Sequence, residues 1–171
     1  EQVEALRQFQ RAAMFRIAVP DLTGRLPLMK VSDRLTDLAE LLVQATLDLA
    51  WRQIAARHGV PLCGPTEDAL RQADVIVVAY GKFGGIELGY GSDLDVLFVY
   101  DPSAAPPDKD PGEHFVRVAQ RIIRLISEAH PAGPGYELDT RLRPSGSHGM
   151  LVTSLASFAR YHGVSLSSDD A

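Results

Sequence analysis

Residues 75–101 read VIVVAYGKFGGIELGYGSDLDVLFVYD, and we expect the rest of the chain to be built around this stretch. Its two ends, residues 75–80 and 94–100, are apolar runs of strand length that are rich in β-branched side chains. The five glycines between the runs allow sharp turns and a close approach of the backbone to a ligand. The pattern therefore predicts two adjacent central strands, joined by a glycine-rich turn that is suited to a phosphate.

Asp93 and Asp95 are the most informative charged residues of this stretch. Residues two apart in a strand point to the same face, so the two carboxylates project together while Leu94 points away. Their repulsion is relieved by water, by a counter-charge or by a hard divalent cation with oxygen ligands. A bare Asp-x-Asp is also common at the solvated entry of a strand, and this alternative stays open.

The spacing from Gly81 to Asp93-x-Asp95, with eleven residues between Gly81 and Asp93, resembles the signature of the DNA polymerase beta-like nucleotidyltransferase superfamily. Three further blocks, with the longer stretch 81–101, resemble the bacterial bifunctional glutamine synthetase adenylyltransferase/adenylyl-removing enzymes. These blocks are LPLMKVSD at 26–33, YELDTRLRPSG at 136–146 and GMLVTS at 149–154. The first block is more similar to the C-terminal, adenylylating half of that family than to the adenylyl-removing half.

The resemblance implies an α/β (α+β) nucleotidyltransferase fold, in which a small mixed sheet with flanking helices follows an N-terminal helical segment. Residues 1–60 are then a helical segment that packs on the catalytic core, and 61–162 are the core itself. Residues 163–171 form a polar tail that ends before a helical region expected from the family. A helix that begins at residue 1 also suggests a chain cut from something longer.

For function, the resemblance implies Mg²⁺-dependent transfer of AMP from ATP to a tyrosine of glutamine synthetase, in the regulation of nitrogen metabolism. Phosphate-dependent removal of that AMP is the nearest alternative, and a catalytically silent docking or regulatory fragment is another. The implied partners are glutamine synthetase, ATP and, through the full-length enzyme, a PII-type nitrogen signalling protein.

Site residues follow from the resemblance position by position. The implied catalytic and metal-binding residues are Asp93, Asp95 and Asp139. The implied nucleotide-binding residues are Gly81, Lys82, Gly84, Gly85, Ser92, Arg141 and Arg143. The superfamily usually has Gly-Gly or Gly-Ser about ten residues before the first aspartate, whereas Lys82 follows Gly81 here, so the glycine assignments rest on a departure from the pattern.

Composition limits the other function classes. A net charge of −5 and a pI near 5.5 argue against a surface for nucleic acid. Cys63 is the only cysteine, which excludes an internal disulfide, and no apolar run is long enough to cross a bilayer. The sequence therefore predicts a cytoplasmic protein without a membrane partner.

Two amphipathic helices and two short strands complete the expected fold. Residues 32–58, with Ser32 as the N-cap, and residues 113–130 carry apolar side chains at three-four spacing, which predicts helices that pack on the sheet. Residues 136–142 alternate between apolar and charged side chains and predict a strand whose charged face includes Asp139. A further short strand is predicted at residues 150–153, followed by a helix.

Overall fold

The computed structural model of the protein describes residues 1–63, 71–72, 74–101, 111–143 and 149–164. Along this part of the chain the helices are α1 (Gln2–Leu22), α2 (Leu28–His58), α3 (Gly81–Gly84), α4 (Gly112–Ser127) and α5 (Leu155–Tyr161). The strands are β1 (Leu62–Cys63), β2 (Arg71–Gln72), β3 (Val75–Ala79), β4 (Leu94–Tyr100), β5 (Leu138–Asp139) and β6 (Val152–Ser154).

Strand β4 is the centre of a mixed sheet. It pairs antiparallel with β3, with Val75 opposite Tyr100 and Ala79 opposite Val96. On its other side β4 pairs parallel with β5 near its start and with β6 near its end. The mixed α+β architecture confirms the predicted fold class and the predicted antiparallel neighbours in residues 75–101.

The core lies between this sheet and the helices α2 and α4. Leu94, Val96 and Phe98 face the helices from β4 and are fully buried. The apolar stripes of the two helices meet them with Leu35, Leu42, Ile122 and Leu125, each no more than 4% exposed. Burying one such side chain stabilises the fold by about 1.5–3 kcal/mol, so the stripes serve packing as their spacing predicted.

Several predicted boundaries are wrong. Helix α2 begins at Leu28, after Pro27 in an extended conformation, so Ser32 lies inside the helix and is not its cap. The carbonyl of Pro27 accepts hydrogen bonds from the N–H groups of Lys30 and Val31. Because residues 28–31 include no glycine or proline, the helix begins directly after Pro27. Helix α4 begins one residue earlier than expected and ends at Ser127, because Glu128 is extended.

The predicted strands also shift. Only Leu138–Asp139 of residues 136–142 pairs with β4, and the last strand is Val152–Ser154 in place of residues 150–153. An alternating pattern indicates the face of the strand to which each side chain points. It does not indicate how many residues pair with a neighbouring strand. The helix predicted after that strand is present as α5, with the Ser154 hydroxyl accepting the Ser157 N–H at 3.2 Å.

The division into residues 1–60, 61–162 and 163–171 stays a prediction, and residues 165–171 of the tail lie outside the described residues. Residues of α2, β4 and α4 belong to one continuous core cluster. None of the described helices combines the length and apolarity required to cross a bilayer.

Candidate active site

Asp95 and Asp139 are neighbours across two strands. The parallel register of β4 and β5 places Asp95 beside Asp139 and Leu94 beside Leu138. Since paired residues of neighbouring strands point to the same face, both carboxylates lie on one side of the sheet. That side is opposite to the helices, because Leu94 and Val96, which flank Asp95, point into the core.

Asp93 stands two residues before Asp95, at the entry to β4, and is exposed. The N–H of Leu94, between them, donates to the carbonyl of Glu137 at 2.9 Å. The backbone that carries Asp93 and Asp95 is therefore tied to the segment that carries Asp139. The structure thus places all three predicted aspartates at one end of β4: Asp93 just before the strand, Asp95 within it and Asp139 on the neighbouring β5.

Gly81 packs directly against Asp95. A Cβ built on Gly81 would lie 2.3 Å from Oδ2 of Asp95, and Gly81 has a φ of +53°. The strand ladder continues just before this glycine, since the Tyr80 N–H donates to the Asp95 carbonyl at 2.9 Å. Glycine is required here both by the left-handed conformation and by the carboxylate that fills the Cβ position.

Arg141 holds Asp139 from the solvent side. Its backbone N–H donates to Oδ1 at 2.8 Å, and its Nε donates to Oδ1 at 3.0 Å and to Oδ2 at 2.9 Å. Its Nη2 also donates to Oδ2. The carboxylate side chain is 15% exposed and the arginine side chain 78% exposed. The side-chain and backbone hydrogen bonds from Arg141 hold the pKa of Asp139 below its ordinary value.

The charge of Arg141 also acts on the other two aspartates. The hydrogen bond to Asp139 raises the pKa of Arg141, and the charge of Asp139 is the next cause. Asp93 and Asp95 add smaller contributions in the same direction. One guanidinium therefore balances part of the charge of all three carboxylates.

Among the described residues, no three His, Cys, Asp or Glu side chains are arranged so that they could hold a metal ion as they stand. The donor set nevertheless suits Mg²⁺, which prefers carboxylate oxygens, and two of the carboxylates are register partners. The oxygens of Asp139 are engaged by Arg141. The metal-binding role of Asp93, Asp95 and Asp139 stays a prediction.

The glycine-rich turn is more ordered than the sequence suggested. Residues 81–84 form the short helix α3, and a Cβ on Gly84 would lie 2.6 Å from the Ala79 carbonyl oxygen. Gly84 is therefore required for close backbone packing. A Cβ on Gly85 would meet the Gly81 carbonyl oxygen at 3.2 Å, and the Ser92 hydroxyl accepts the Gly89 N–H at 3.0 Å. Nucleotide binding by these residues stays a prediction.

The two remaining predicted cations differ in their surroundings. Lys82 is exposed on α3. Arg143 is partly buried, and its Nη1 donates to the carbonyl of Thr140 at 2.6 Å and to the Thr140 hydroxyl at 3.0 Å. Its Nε donates to the Gly149 carbonyl at 3.3 Å. Arg143 thus joins the segment after β5 to the approach of β6.

Two features of the site loop have no signal in the sequence. The Tyr90 hydroxyl donates to Asp21 at 2.9 Å, which joins the loop to the end of α1 across 69 positions. Ile86 has a φ of 59° and is 51% exposed. Its N–H donates to the Phe83 carbonyl while the Glu87 N–H donates to the Lys82 carbonyl, a Schellman arrangement that usually uses glycine.

A groove of about 770 Å³ lies elsewhere, between α2 and the strand β3. It is lined mainly by apolar side chains, with Asp37 and Glu40 at α2, and none of the three aspartates above borders it.

The family model and the curated proteins that match this chain are all adenylyltransferases of glutamine synthetase, which is also called glutamate-ammonia ligase. The family model for glutamate-ammonia ligase adenylyltransferase matches residues 1–165. Similar curated proteins are each named bifunctional glutamine synthetase adenylyltransferase/adenylyl-removing enzyme. They come from Pseudomonas putida (47% identical over 166 residues), Pseudomonas syringae pv. tomato (47% over 168) and Pseudomonas aeruginosa (44% over 172). Each alignment covers 94% of this chain and 17% of the relative.

Proposed function

The chain belongs to the glutamate-ammonia ligase adenylyltransferase family, and we propose that it forms a nucleotidyltransferase core that transfers AMP from ATP to a tyrosine hydroxyl of glutamine synthetase. The reaction releases pyrophosphate. The proposal includes a PII-type signalling protein as a regulator through the full-length enzyme, and a cytoplasmic location. The chain spans 17% of the length of its curated relatives, so substrates and partners belong to the proposal.

The observation that carries the proposal is the register of Asp95 and Asp139. Two carboxylates side by side on one sheet face repel each other; Arg141 relieves part of this repulsion at Asp139, and a shared cation would relieve it further. The Asp95 carboxylate fills the position of a Cβ at the neighbouring Gly81, so the backbone of the turn lies directly against this aspartate, and a phosphate held at the turn would lie beside it. The arrangement thus suits a nucleotide held by a cation at the end of β4.

In this proposal Asp93, Asp95 and Asp139 hold Mg²⁺. When bound, Mg²⁺ supplies positive charge that neutralises the triphosphate and the leaving pyrophosphate and acidifies the attacking hydroxyl. The protein residues keep ATP oriented. No side chain of this chain serves as a nucleophile, because the acceptor oxygen belongs to the tyrosine of the other protein.

Lys82, Arg141 and Arg143 are the proposed counter-charges for the outer phosphates. Lys82 is exposed on α3, next to Gly81, and Arg141, just past the end of β5, forms an ion pair with Asp139. Arginine binds phosphate with two parallel hydrogen bonds, whereas lysine acts as a point charge. We expect these residues to orient the leaving group and to set ATP affinity.

Removal of AMP by inorganic phosphate, with release of ADP, is a second candidate function. The names of the relatives include both activities, and this chain matches only one segment of each relative. The same carboxylates and arginines suit either reaction, because phosphorolysis breaks the bond from the α-phosphorus to the tyrosine oxygen and forms a phosphoanhydride bond with the attacking phosphate, which yields ADP and the free tyrosine hydroxyl. The assay must therefore separate the two reactions.

The test is a chimera in which this chain replaces the matching segment of the P. putida relative. Labelled ATP, Mg²⁺ and glutamine synthetase measure transfer, and adenylylated glutamine synthetase with phosphate measures removal. Asp95→Asn removes a proposed ligand charge with almost no change in volume, so we expect it to reduce one reaction more than about 100-fold and to leave the other unchanged. Loss of transfer identifies the adenylylating half.

Asp48→Asn is the matched control. Asp48 is exposed on α2, where Gln44 donates to it at 2.9 Å, and it lies outside the aspartate cluster. We expect both reactions to be unchanged in that variant. Full transfer and full removal in the Asp95→Asn chimera would exclude this site from both reactions and favour a docking fragment.

A further inference from the structure

Arg141 already forms an ion pair with Asp139, one of the three aspartates proposed to bind a cation. Both oxygens of Asp139 accept hydrogen bonds from this one guanidinium, and Oδ1 also accepts the Arg141 backbone N–H. A Mg²⁺ ion binds a carboxylate oxygen through a lone pair, at about 2.0–2.1 Å. Its positive charge repels a guanidinium that is bound to the same carboxylate. Asp139 is therefore unable to serve both partners fully at the same time.

The position of Arg141 fits an exchange of partners. Asp139 is fixed by the strand pairing of β5 with β4 and is mostly buried, whereas the Arg141 side chain is 78% exposed. The backbone of Arg141 lies just past the end of β5, which ends at Asp139. The guanidinium is thus able to move while the carboxylate stays in place.

We propose that Arg141 is the resident counter-cation of the nucleotide-free site and moves from Asp139 to the nucleotide phosphates when ATP and its cation bind. This inference rests on the proposed function. The exchange replaces a bidentate arginine–carboxylate ion pair with a bidentate arginine–phosphate ion pair, so few hydrogen bonds are lost. It also keeps the carboxylates balanced by positive charge before and after nucleotide binding.

A thermodynamic consequence follows for metal binding. Without nucleotide, a cation must displace Arg141 and leave it without an anionic partner. With nucleotide, the phosphates accept Arg141, so metal and ATP each strengthen the binding of the other through this residue. Removing Arg141 should strengthen metal binding in the absence of ATP and reduce the coupling between the two ligands.

The experiment measures Mn²⁺ binding to the nucleotide-free protein by electron paramagnetic resonance, in the native chain and in Arg141→Gln and Arg141→Lys. We expect Arg141→Gln to bind Mn²⁺ about fivefold more tightly, in line with the loss of one competing ion pair. Arg141→Lys keeps the charge but loses the planar fork, so we expect a smaller shift in the same direction. In both variants ATP should tighten Mn²⁺ binding less than in the native chain.

Arg117→Gln is the matched control, because Arg117 also forms an ion pair, with Glu113 on α4, away from the aspartates. It should leave Mn²⁺ affinity unchanged. Unchanged or weaker Mn²⁺ binding in Arg141→Gln overturns the inference. A shift in Arg141→Gln with none in Arg141→Lys also overturns it, since net charge alone would then explain the result.

Failure of the proposed function has a different signature. If Asp95→Asn leaves Mn²⁺ binding unchanged in the native and Arg141→Gln backgrounds, the carboxylates hold no cation, and the site itself is rejected. If Asp95→Asn abolishes Mn²⁺ binding while Arg141→Gln has no effect, the site stands and only the role of Arg141 fails. Circular dichroism of each variant checks that the fold is retained.

Discussion

Gly81 is the residue at which the fold and the proposed site constrain each other most directly. Its φ of +53° is a conformation that L side chains rarely adopt, and a Cβ would lie 2.3 Å from the Asp95 carboxylate. We expect Gly81→Ala to lower the free energy of unfolding by about 1–2 kcal/mol and to displace Asp95. Urea unfolding and AMP transfer by the chimera measure the two effects.

Gly91→Ala is the control for that prediction, because a Cβ on Gly91 meets no atom within 4 Å. It should change the stability by less than about 0.5 kcal/mol. Equal stability and equal activity in the two variants would contradict the steric role of Gly81.

Tyr136 makes the stability of the protein sensitive to alkaline pH. Burial raises the pKa of Tyr136 to about 12, and its hydroxyl has no hydrogen-bond partner among the described residues. The folded protein thus keeps a proton that the unfolded chain loses near pH 10. The contribution of protonated Tyr136 to the free energy of unfolding should be fully present below about pH 10. The free energy of unfolding should then fall by up to about 3 kcal/mol as the pH rises to about 12.

Tyr136→Phe isolates this contribution. The variant lacks the unpartnered hydroxyl, so its stability at pH 7 should equal or exceed that of the native chain by up to about 1 kcal/mol. Its urea midpoint should fall less steeply between pH 10 and 12. An identical alkaline slope in both proteins would assign the loss to other groups, such as Tyr80, whose pKa is also raised by burial.

At the level of elements, α1 is joined to the far end of α4 by a buried arginine. Arg7 is 3% exposed, and its Nη2 donates to the Leu125 carbonyl at 2.9 Å and also to the Ile126 carbonyl. These are carbonyls of the last turn of α4, where a positive charge also favours the helix dipole. Burial lowers the pKa of the Arg7 guanidinium.

We expect Arg7→Met to lower the free energy of unfolding by about 2–3 kcal/mol, because it removes a charged donor and leaves buried carbonyls without it. Arg16→Met is the control, since Arg16 is exposed on the same helix. Urea unfolding of both variants measures the difference. A loss of less than about 0.5 kcal/mol in Arg7→Met would show that α1 docks mainly through its apolar side chains.

At the level of the whole molecule, Trp51 reports on the shared core. This single tryptophan of α2 stacks on Phe115 of α4, with ring centroids 6.2 Å apart, and forms a T-shaped contact with His114, with ring centroids 5.5 Å apart. Because α2, β4 and α4 belong to one core cluster, they should unfold together. We expect the urea transitions measured by Trp51 fluorescence and by far-ultraviolet circular dichroism to coincide.

Trp51→Phe tests whether the probe itself disturbs the core, and its circular dichroism transition should stay cooperative. A fluorescence transition at clearly lower urea than the circular dichroism transition would show that the α2–α4 contact opens first. The helical segment and the sheet would then be separate cooperative units.

The features that depend on local periodicity could be predicted from the amino-acid sequence alone. The two apolar runs became β3 and β4, and the three-four stripes became the buried faces of α2 and α4. The position of Asp95 opposite to the core also follows, because the period of two along a strand sets the direction of every side chain. Each of these features depends on residues a few positions apart.

The geometry in which distant residues meet depends on the tertiary structure: the resemblance implied that Asp139 joins Asp93 and Asp95, but not that it pairs with Asp95 across two strands. β5 contributes two residues to the sheet, and the pairing of Asp139 with Asp95 depends on how α4 returns the chain to the start of β4. The same holds for Arg7, which caps α4 across 118 positions. Such contacts are selected by the packing of the whole chain, since the residues involved carry no periodic signal that links them.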